Sequence, residues 1–190
     1  MNKSFKISIP ILVILIISLF GYQNIPIEQL KKKYAKSPSS FVKVDGMNVH
    51  YRDEGEKNDS IPIVLIHGTA SSLHTYNDWT KELIINCRVV RMDLPGYGLT
   101  GPFPNRNYDI ANYVNFLKNF LKSIGVKKCV LAGNSLGGNI AWNFTSEYPN
   151  MVKELILIDA AGYPTKSKSV PIAFEIAQIP IIQNIFKFIT

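Results

Sequence analysis

The chain has 190 residues, of which 46% are hydrophobic, so it is long enough for one globular domain with an apolar core. Most of its formal net charge of +7 lies in residues 1–44, which contain seven lysines and a single acidic residue, Glu28. The rest of the chain is nearly neutral and contains no basic stretch interleaved with aromatic residues, which argues against a nucleic acid partner.

The N-terminal segment predicts a membrane anchor over residues 1–24. Lys3 and Lys6 precede an uncharged and mostly apolar run that continues to Ile27. This run is apolar on every face, so a buried soluble helix is a poor alternative. A cleaved signal peptide is a second alternative, but residues 19–22 do not form a small-x-small cleavage site. Although the strongly apolar part is short for a full span of ~20 residues, we expect an uncleaved, single-pass signal anchor.

Residues 25–40 form a basic stalk, which we predict to be a short helix followed by a linker. Its four lysines compete with Lys3 and Lys6 under the positive-inside rule. We expect the N-terminus in the cytoplasm and the globular domain that follows the stalk on the extracytoplasmic side of the membrane. The lysines could also hold the stalk against anionic headgroups, which makes membrane lipid an expected partner.

Two strands are predicted next, at residues 41–44 and 47–51. They flank Asp45-Gly46, a dipeptide typical of a tight hairpin turn. His50 alternates with apolar neighbours, so we expect it on the polar side of its strand, in a structural role.

A continuous apolar run at residues 61–66 predicts a strand that is buried on both faces. This strand leads into His67-Gly68-Thr69. A helix is predicted to begin near residue 75, with Trp79 facing inward.

The next strand is predicted at residues 88–94, and a turn follows at residues 95–98. Asp109 is a plausible N-cap for a long helix, and Gly125 is expected to end that helix. Apolar side chains repeat between them at helical spacing, at Ile110, Tyr113, Val114, Leu117, Leu121 and Ile124.

Residues 130–138 read Val-Leu-Ala-Gly-Asn-Ser-Leu-Gly-Gly, an apolar strand that ends in Gly-x-Ser-x-Gly and passes into a helical pattern. This context is typical of a nucleophile elbow, whose strained turn exposes the hydroxyl of Ser135. Gly133 and Gly137 are expected where strand and helix approach too closely for a Cβ atom. The N–H of Leu136, at the positive end of the helix, would point towards a developing oxyanion. A glycine-rich turn with a surface serine is the alternative.

Three motifs, in this order and spacing, resemble the α/β-hydrolase fold superfamily from residue 41 onward. They are Ile-His-Gly-Thr at residues 66–69, Met-Asp-Leu-Pro-Gly-Tyr-Gly at residues 92–98, and Gly-Asn-Ser-Leu-Gly-Gly at the elbow. The last motif is similar to that of the branch that includes esterases and hydrolases of carbon–carbon bonds.

The resemblance implies an α/β fold with a mostly parallel sheet and helices on both faces. Its core would occupy residues 41–163, preceded by the transmembrane helix. Residues 164–190 would then be the start of a helical cap. Cys87 and Cys129 would be buried thiols, because the family's sheet order places a strand between them.

The resemblance also implies roles for individual residues. Ser135 would be the nucleophile, and the backbone N–H groups of Leu136 and Thr69 would form the oxyanion hole. His67 and Gly68 would set the conformation of the loop. The expected substrate is a small molecule, and neither a cofactor nor a metal is expected.

In this family the acid and then the histidine follow the serine along the chain. Here His50, His67 and His74 all precede the serine. The last predicted strand is the apolar run at residues 155–159, which we expect to be buried. Asp159, at its end, is a candidate acid, because some relatives place the acid there. Asp93, at another strand end, matches a loop anchor. We therefore expect a truncated piece of a longer hydrolase, incomplete at the C-terminus; a short natural remnant is the alternative.

The predicted function is that of a membrane-anchored serine hydrolase of small organic esters or related carbonyl substrates. A carbon–carbon bond hydrolase and a catalytically silent, membrane-attached binding module are the alternatives. A serine in place of an aspartate argues against dehalogenase or epoxide hydrolase chemistry. Residues 133–138 lack Gly-x-Gly-x-x-Gly, which argues against dinucleotide binding.

Overall fold

The computed structural model describes residues 25–163, together with Ile176 and Ile179. The predicted anchor at residues 1–24 lies outside the described residues, as does the predicted cap apart from those two positions. Within the described part, no helix has the length and apolar character needed to cross a membrane.

A single mixed sheet forms the centre of the described part, with the strand order β1-β2-β4-β3-β5-β6. The strands β3, β4, β5 and β6 run parallel, and β1 and β2 are antiparallel to their neighbours. The carboxyl ends of the parallel strands therefore lie at one edge, which we call the C-terminal edge. The strands are β1 (Ser39–Val44), β2 (Met47–Gly55), β3 (Ile63–Ile66), β4 (Arg88–Met92), β5 (Cys129–Asn134) and β6 (Val152–Ile158).

Helices cover both faces of the sheet, as the resemblance implied. The helices are α1 (Ile27–Tyr34), α2 (Asn77–Leu83), α3 (Ile110–Ser123) and α4 (Leu136–Glu147). The larger core lies under α3 and α4, where Phe116, Leu117 and Phe144 pack on the sheet with Val64 and Val90. A smaller cluster lies on the other face, where Tyr76 and Leu83 pack near α2.

The hairpin of β1 and β2 turns at Asp45 and Gly46, as predicted. Both residues have positive φ angles, 48° and 81°, as a two-residue turn of type I′ requires. The register pairs Val44 with Met47 directly across this turn.

Helix α3 also begins and ends where the sequence predicted. The Asp109 side chain accepts a hydrogen bond of 2.7 Å from the N–H of Asn112, which satisfies one free donor of the first turn. Gly125 follows the helix with a φ angle of 74°, which a glycine adopts without steric penalty.

Three predictions about burial within the helices and strands are wrong. Trp79 was expected to face inward, but it is 50% exposed at the surface of α2. His50 was expected on a polar side, but it is fully buried beneath the loops at the C-terminal edge. The last strand was expected to be buried, whereas Ile156 and Leu157 are 44% and 47% exposed, because β6 is at the end of the sheet described here.

The two cysteines are free thiols. Cys87 directly precedes β4 and Cys129 begins β5, and β3 lies between these two strands. Cys129 is buried, as expected, and burial raises the pKa of its thiol to about 12. The same expectation was wrong for Cys87, which precedes β4 and is only partly buried.

Candidate active site

Ser135 occupies the turn between β5 and α4, at the C-terminal edge. Its φ and ψ angles are 50° and −115°, in a region that residues with side chains rarely adopt. Backbone hydrogen bonds keep Ser135 in this strained conformation. Its N–H donates to the carbonyl of Ile158 at 3.1 Å. Its carbonyl accepts from the N–H groups of Asn139 and Ala161, both at 3.0 Å. A conformation fixed in this way is characteristic of functional sites.

The elbow leaves no room for side chains at its two flanking glycines, as predicted from the sequence. A Cβ atom on Gly133 would lie 2.2 Å from the carbonyl oxygen of Gly137. A Cβ atom on Gly137 would lie 2.2 Å from the carbonyl oxygen of Ile66. Strand β5, helix α4 and the end of β3 are therefore in direct backbone contact around Ser135.

The Gly68-Thr69 segment lies beside the elbow. A Cβ atom on Gly68 would be 3.1 Å from the Cβ atom of Ser135, so the two residues are close neighbours. Leu136 is the first residue of α4, and its N–H belongs to the free donors of the first turn. The fold thus brings both predicted oxyanion donors, Thr69 and Leu136, to the surroundings of Ser135.

His67 holds the loop that carries Gly68 and Thr69. Its Nδ1 lies 2.8 Å from the carbonyl oxygen of Gly68, and its Nε2 lies 3.0 Å from the backbone nitrogen of Leu94. Since the Leu94 N–H must donate, Nε2 is the acceptor and Nδ1 carries the proton. The side chain is fully buried, and burial lowers the pKa of the imidazole. The His67 imidazole is therefore neutral, and its two hydrogen bonds connect the loops that follow β3 and β4.

Asp159 directly follows β6, next to the elbow. The register pairs Asn134 with Ile158, so Ser135 and Asp159 are the next residues of two neighbouring strands. Asp159 has a positive φ angle of 44°, and its side chain is exposed. The loop after it is tied back to α4, because the Trp142 indole N–H donates to the carbonyl of Ala161 at 3.2 Å.

A buried histidine–aspartate pair lies elsewhere at this edge and was missed by the sequence analysis. His50 Nδ1 donates to Asp93 Oδ2 at 2.7 Å, and the Asp93 carboxylate also accepts from the N–H groups of Leu73 and Leu99. Burial favours a higher pKa for Asp93, but these hydrogen bonds outweigh it and lower the pKa. Asp93 is thus a loop anchor, as the motif implied.

The His50–Asp93 pair is too distant to serve Ser135. Strand β2 is three positions from β5 in the sheet, which corresponds to about 14 Å at the usual strand spacing. The His74 ring packs against the rings of Tyr34 and His50, and so lies beside the His50–Asp93 pair. In the part of the chain that the structure describes, the hydroxyl of Ser135 has no histidine partner.

A cleft of about 270 Å³ opens beside the elbow, lined by Leu136, by the loop after β4 and by the first turn of α3. Three of the side chains that line it are aromatic: Tyr97, Tyr108 and Tyr113. The Tyr97 ring meets the His67 ring edge-on at 5.6 Å, and the Tyr113 hydroxyl donates to the carbonyl of Pro95 at 3.1 Å. The cleft is therefore a mostly apolar, preformed space next to the proposed oxyanion donor.

Comparison with protein families gives one match that covers most of the chain. The model described as the alpha/beta hydrolase fold matches residues 61–188. This range includes Ser135, both predicted oxyanion residues and Asp159.

Curated relatives and solved structures agree with this match. Epoxide hydrolase 4 of Homo sapiens is 36% identical over 119 residues, which are 62% of this chain and 33% of that protein. Monoacylglycerol lipase abhd6-A of Xenopus laevis is 31% identical over 122 residues, 62% of this chain and 36% of that protein. The crystal structure of a membrane phospholipase A, a bacterial virulence factor, has a TM-score of 0.67 at 28% identity, covering 88% of this chain and 55% of that one. The chain spans about a third of the length of these curated relatives.

Proposed function

Because the chain belongs to the α/β-hydrolase fold family, we propose that it is part of a membrane-anchored serine hydrolase that acts on esters. The observation that carries this proposal is the turn at Ser135. A positive φ angle of 50° between a buried strand and a helix gives the serine the position that a nucleophile needs.

In the proposed reaction, the Ser135 hydroxyl attacks the ester carbonyl and loses its proton to a general base. The N–H groups of Leu136 and Thr69 then stabilise the negative charge on the carbonyl oxygen. The alcohol leaves with a proton, and water releases the acid from the acyl-enzyme. The aromatic cleft beside Leu136 would hold part of the substrate.

The general base is the component that the described residues do not supply. The side chains of His50 and His67 form hydrogen bonds with residues other than Ser135, and the His74 ring packs against Tyr34. No other histidine occurs in the chain. We propose that the base comes from sequence outside these 190 residues, which agrees with the greater length of the relatives. Asp159, which neighbours Ser135, is the candidate in the chain for the acid that would orient this base.

Serine chemistry favours an ester over an epoxide, although one relative is named an epoxide hydrolase. A serine that opens an epoxide forms an alkyl ether, which water does not hydrolyse under mild conditions. A carboxylate nucleophile forms an ester instead, which can turn over. The name of a second relative, a monoacylglycerol lipase, is consistent with ester chemistry.

The membrane anchor at residues 1–24 is part of the proposal. It is supported by the uncharged apolar run that ends at Ile27, just before the lysines of α1. The catalytic domain would then lie on the extracytoplasmic side.

The test is a comparison of substrates in the longer protein that we propose. We expect hydrolysis of a short-chain nitrophenyl ester and no turnover of styrene oxide. Ser135→Ala should lower kcat/KM for the ester by at least about 10³-fold, the scale of losing a serine nucleophile.

Ser123→Ala is the matched control, because Ser123 ends α3 at the opposite edge of the sheet and its hydroxyl donates only to the carbonyl of Phe120. Turnover of the epoxide alone would contradict the ester assignment. Cleavage of a diketone in preference to the ester would favour the carbon–carbon bond hydrolase. No turnover of any of these substrates would favour a binding module.

A further inference from the structure

Helix α1 lies on the same edge of the sheet as Ser135. Its residues Leu30 and Tyr34 share a cavity of about 360 Å³ with His74 and Leu99, from the loops that follow β3 and β4. The Tyr34 and His74 rings are 5.8 Å apart. The first described helix therefore covers part of the C-terminal edge rather than the opposite end of the molecule.

Arg52 fixes the end of α1 in this position. Its guanidinium donates to the backbone carbonyls of Tyr34 and Lys36 at 3.5 and 3.4 Å, and to the Ser39 hydroxyl at 3.0 Å. Because Arg52 belongs to β2, these hydrogen bonds connect the helix end to the sheet. The orientation of α1 against the sheet is thus set by the fold.

The outer surface of α1 is basic, with apolar side chains at its start. Lys32 and Lys33 are exposed, and the acid of the helix, Glu28, is paired with Lys31 at 2.8 Å. Ile25 and Ile27 are 59% and 46% exposed. Apolar side chains next to cationic ones are suited to the surface of an anionic bilayer.

Exposed tyrosines extend this surface along the C-terminal edge. Tyr34 is 40% exposed, Tyr108 in the loop after β4 is 43% exposed, and Tyr163 after β6 is 76% exposed. Tyrosine is enriched at the boundary between lipid and water, where its ring is apolar and its hydroxyl hydrated.

The opposite edge has a different surface. Its loops expose the charged side chains of Glu56, Lys57, Lys127 and Lys128. Among the residues that the structure describes, the large apolar side chain of Ile85 is exposed there, at 70%.

We propose that the C-terminal edge faces the surface of an anionic lipid bilayer. This inference rests on the proposed hydrolase and its anchor. Two residues separate residue 24, the end of the predicted anchor, from the start of α1 at Ile27, a reach of at most about 11 Å. An anchor in the membrane would therefore hold α1, and the edge it covers, at the lipid surface.

The test uses the full 190-residue chain in vesicles of phosphatidylcholine and phosphatidylglycerol with brominated acyl chains, which quench nearby tryptophan. Tyr108→Trp and Tyr163→Trp report on the C-terminal edge, and Ile85→Trp reports on the opposite edge. The emission of Trp79 and Trp142 in the unsubstituted chain sets the baseline. Flotation of each variant with the vesicles is measured separately.

We expect every variant to float, with the added emission at positions 108 and 163 quenched several-fold more than that at position 85. Lys32→Glu with Lys33→Glu should reduce this difference while the chain still floats, since the anchor remains. Flotation with equal quenching at the two edges, or stronger quenching at position 85, would overturn the orientation and leave the anchor in place. Failure to float would overturn both the anchor and this inference.

Discussion

At the residue scale, the elbow depends on a position that accepts no side chain. Gly137→Ala would place a Cβ atom 2.2 Å from the carbonyl oxygen of Ile66, so β3 and α4 would have to separate. We expect the free energy of unfolding to fall by about 1–3 kcal/mol or more. Urea denaturation of the full 190-residue chain measures this change.

Gly101→Ala is the control, because a Cβ atom there meets nothing within 4 Å. Its free energy of unfolding should change by less than about 0.5 kcal/mol. If the two variants unfolded at the same urea concentration, the close contact around Ser135 would be refuted.

The buried, neutral state of His67 predicts a loss of stability in mild acid. Burial lowers the pKa of His67 in the folded state, so below about pH 6.5 the unfolded chain binds a proton that the folded chain does not. The free energy of unfolding should therefore fall as the pH falls below 6.5, by up to about 1.4 kcal/mol per pH unit for this group. Burial also lowers the pKa of His74, which adds to the effect in the same direction.

His67→Gln tests this assignment, because an amide can replace both hydrogen bonds but does not titrate. The variant should lose less stability than the parent between pH 7.5 and pH 5.5, measured by urea denaturation. An unchanged pH dependence would show that His67 does not carry the effect.

The sequence predicted Ser135 and its flanking glycines because an elbow is a local structure, encoded by five consecutive residues. The His50–Asp93 hydrogen bond could not be predicted in the same way. Its partners are 43 residues apart and belong to different strands, so only the order of the strands brings them together. Asp93 was identified as a loop anchor through its motif, but the histidine that binds it was assigned to a polar surface.

At the element scale, α3 has an N-cap whose contribution can be measured. Asp109→Ala removes the acceptor of the Asn112 N–H, and we expect a loss of about 0.5–2 kcal/mol in the free energy of unfolding. Asp109→Asn retains an acceptor and should lose only a few tenths of a kcal/mol. Equal losses in the two variants would indicate that the charge of Asp109, rather than its cap, stabilises the helix.

Element positions were easier to predict than element burial. Hydrophobic spacing correctly located α3, the hairpin and the parallel strands, because these patterns follow from local geometry. The same reasoning failed for Trp79 and for Ile156 and Leu157, whose apolar character was read as burial. Exposure depends on which elements lie alongside, and β6 is at the end of the described sheet.

At the scale of the whole molecule, the candidate site is assembled from the ends of several strands. The fold brings the Gly68-Thr69 segment, Ser135 and Asp159 to one edge, and α1 covers part of that edge. The residue types were predictable because each follows a strand with a recognisable motif. The general base was not predictable, because none of the chain's three histidines contacts Ser135 in the described part.

Labelling with a fluorophosphonate probe, which reacts with activated serines, tests the central claim that Ser135 is the nucleophile of a longer serine hydrolase. The 190-residue chain should label slowly, because without a base only the residual activity of the oxyanion hole and binding remains, on the order of 10³–10⁴ over water. The longer protein should label rapidly, with the adduct on Ser135 by mass spectrometry and none in Ser135→Ala. Rapid, Ser135-dependent labelling of the 190-residue chain, or an adduct elsewhere in the longer protein, would contradict the account.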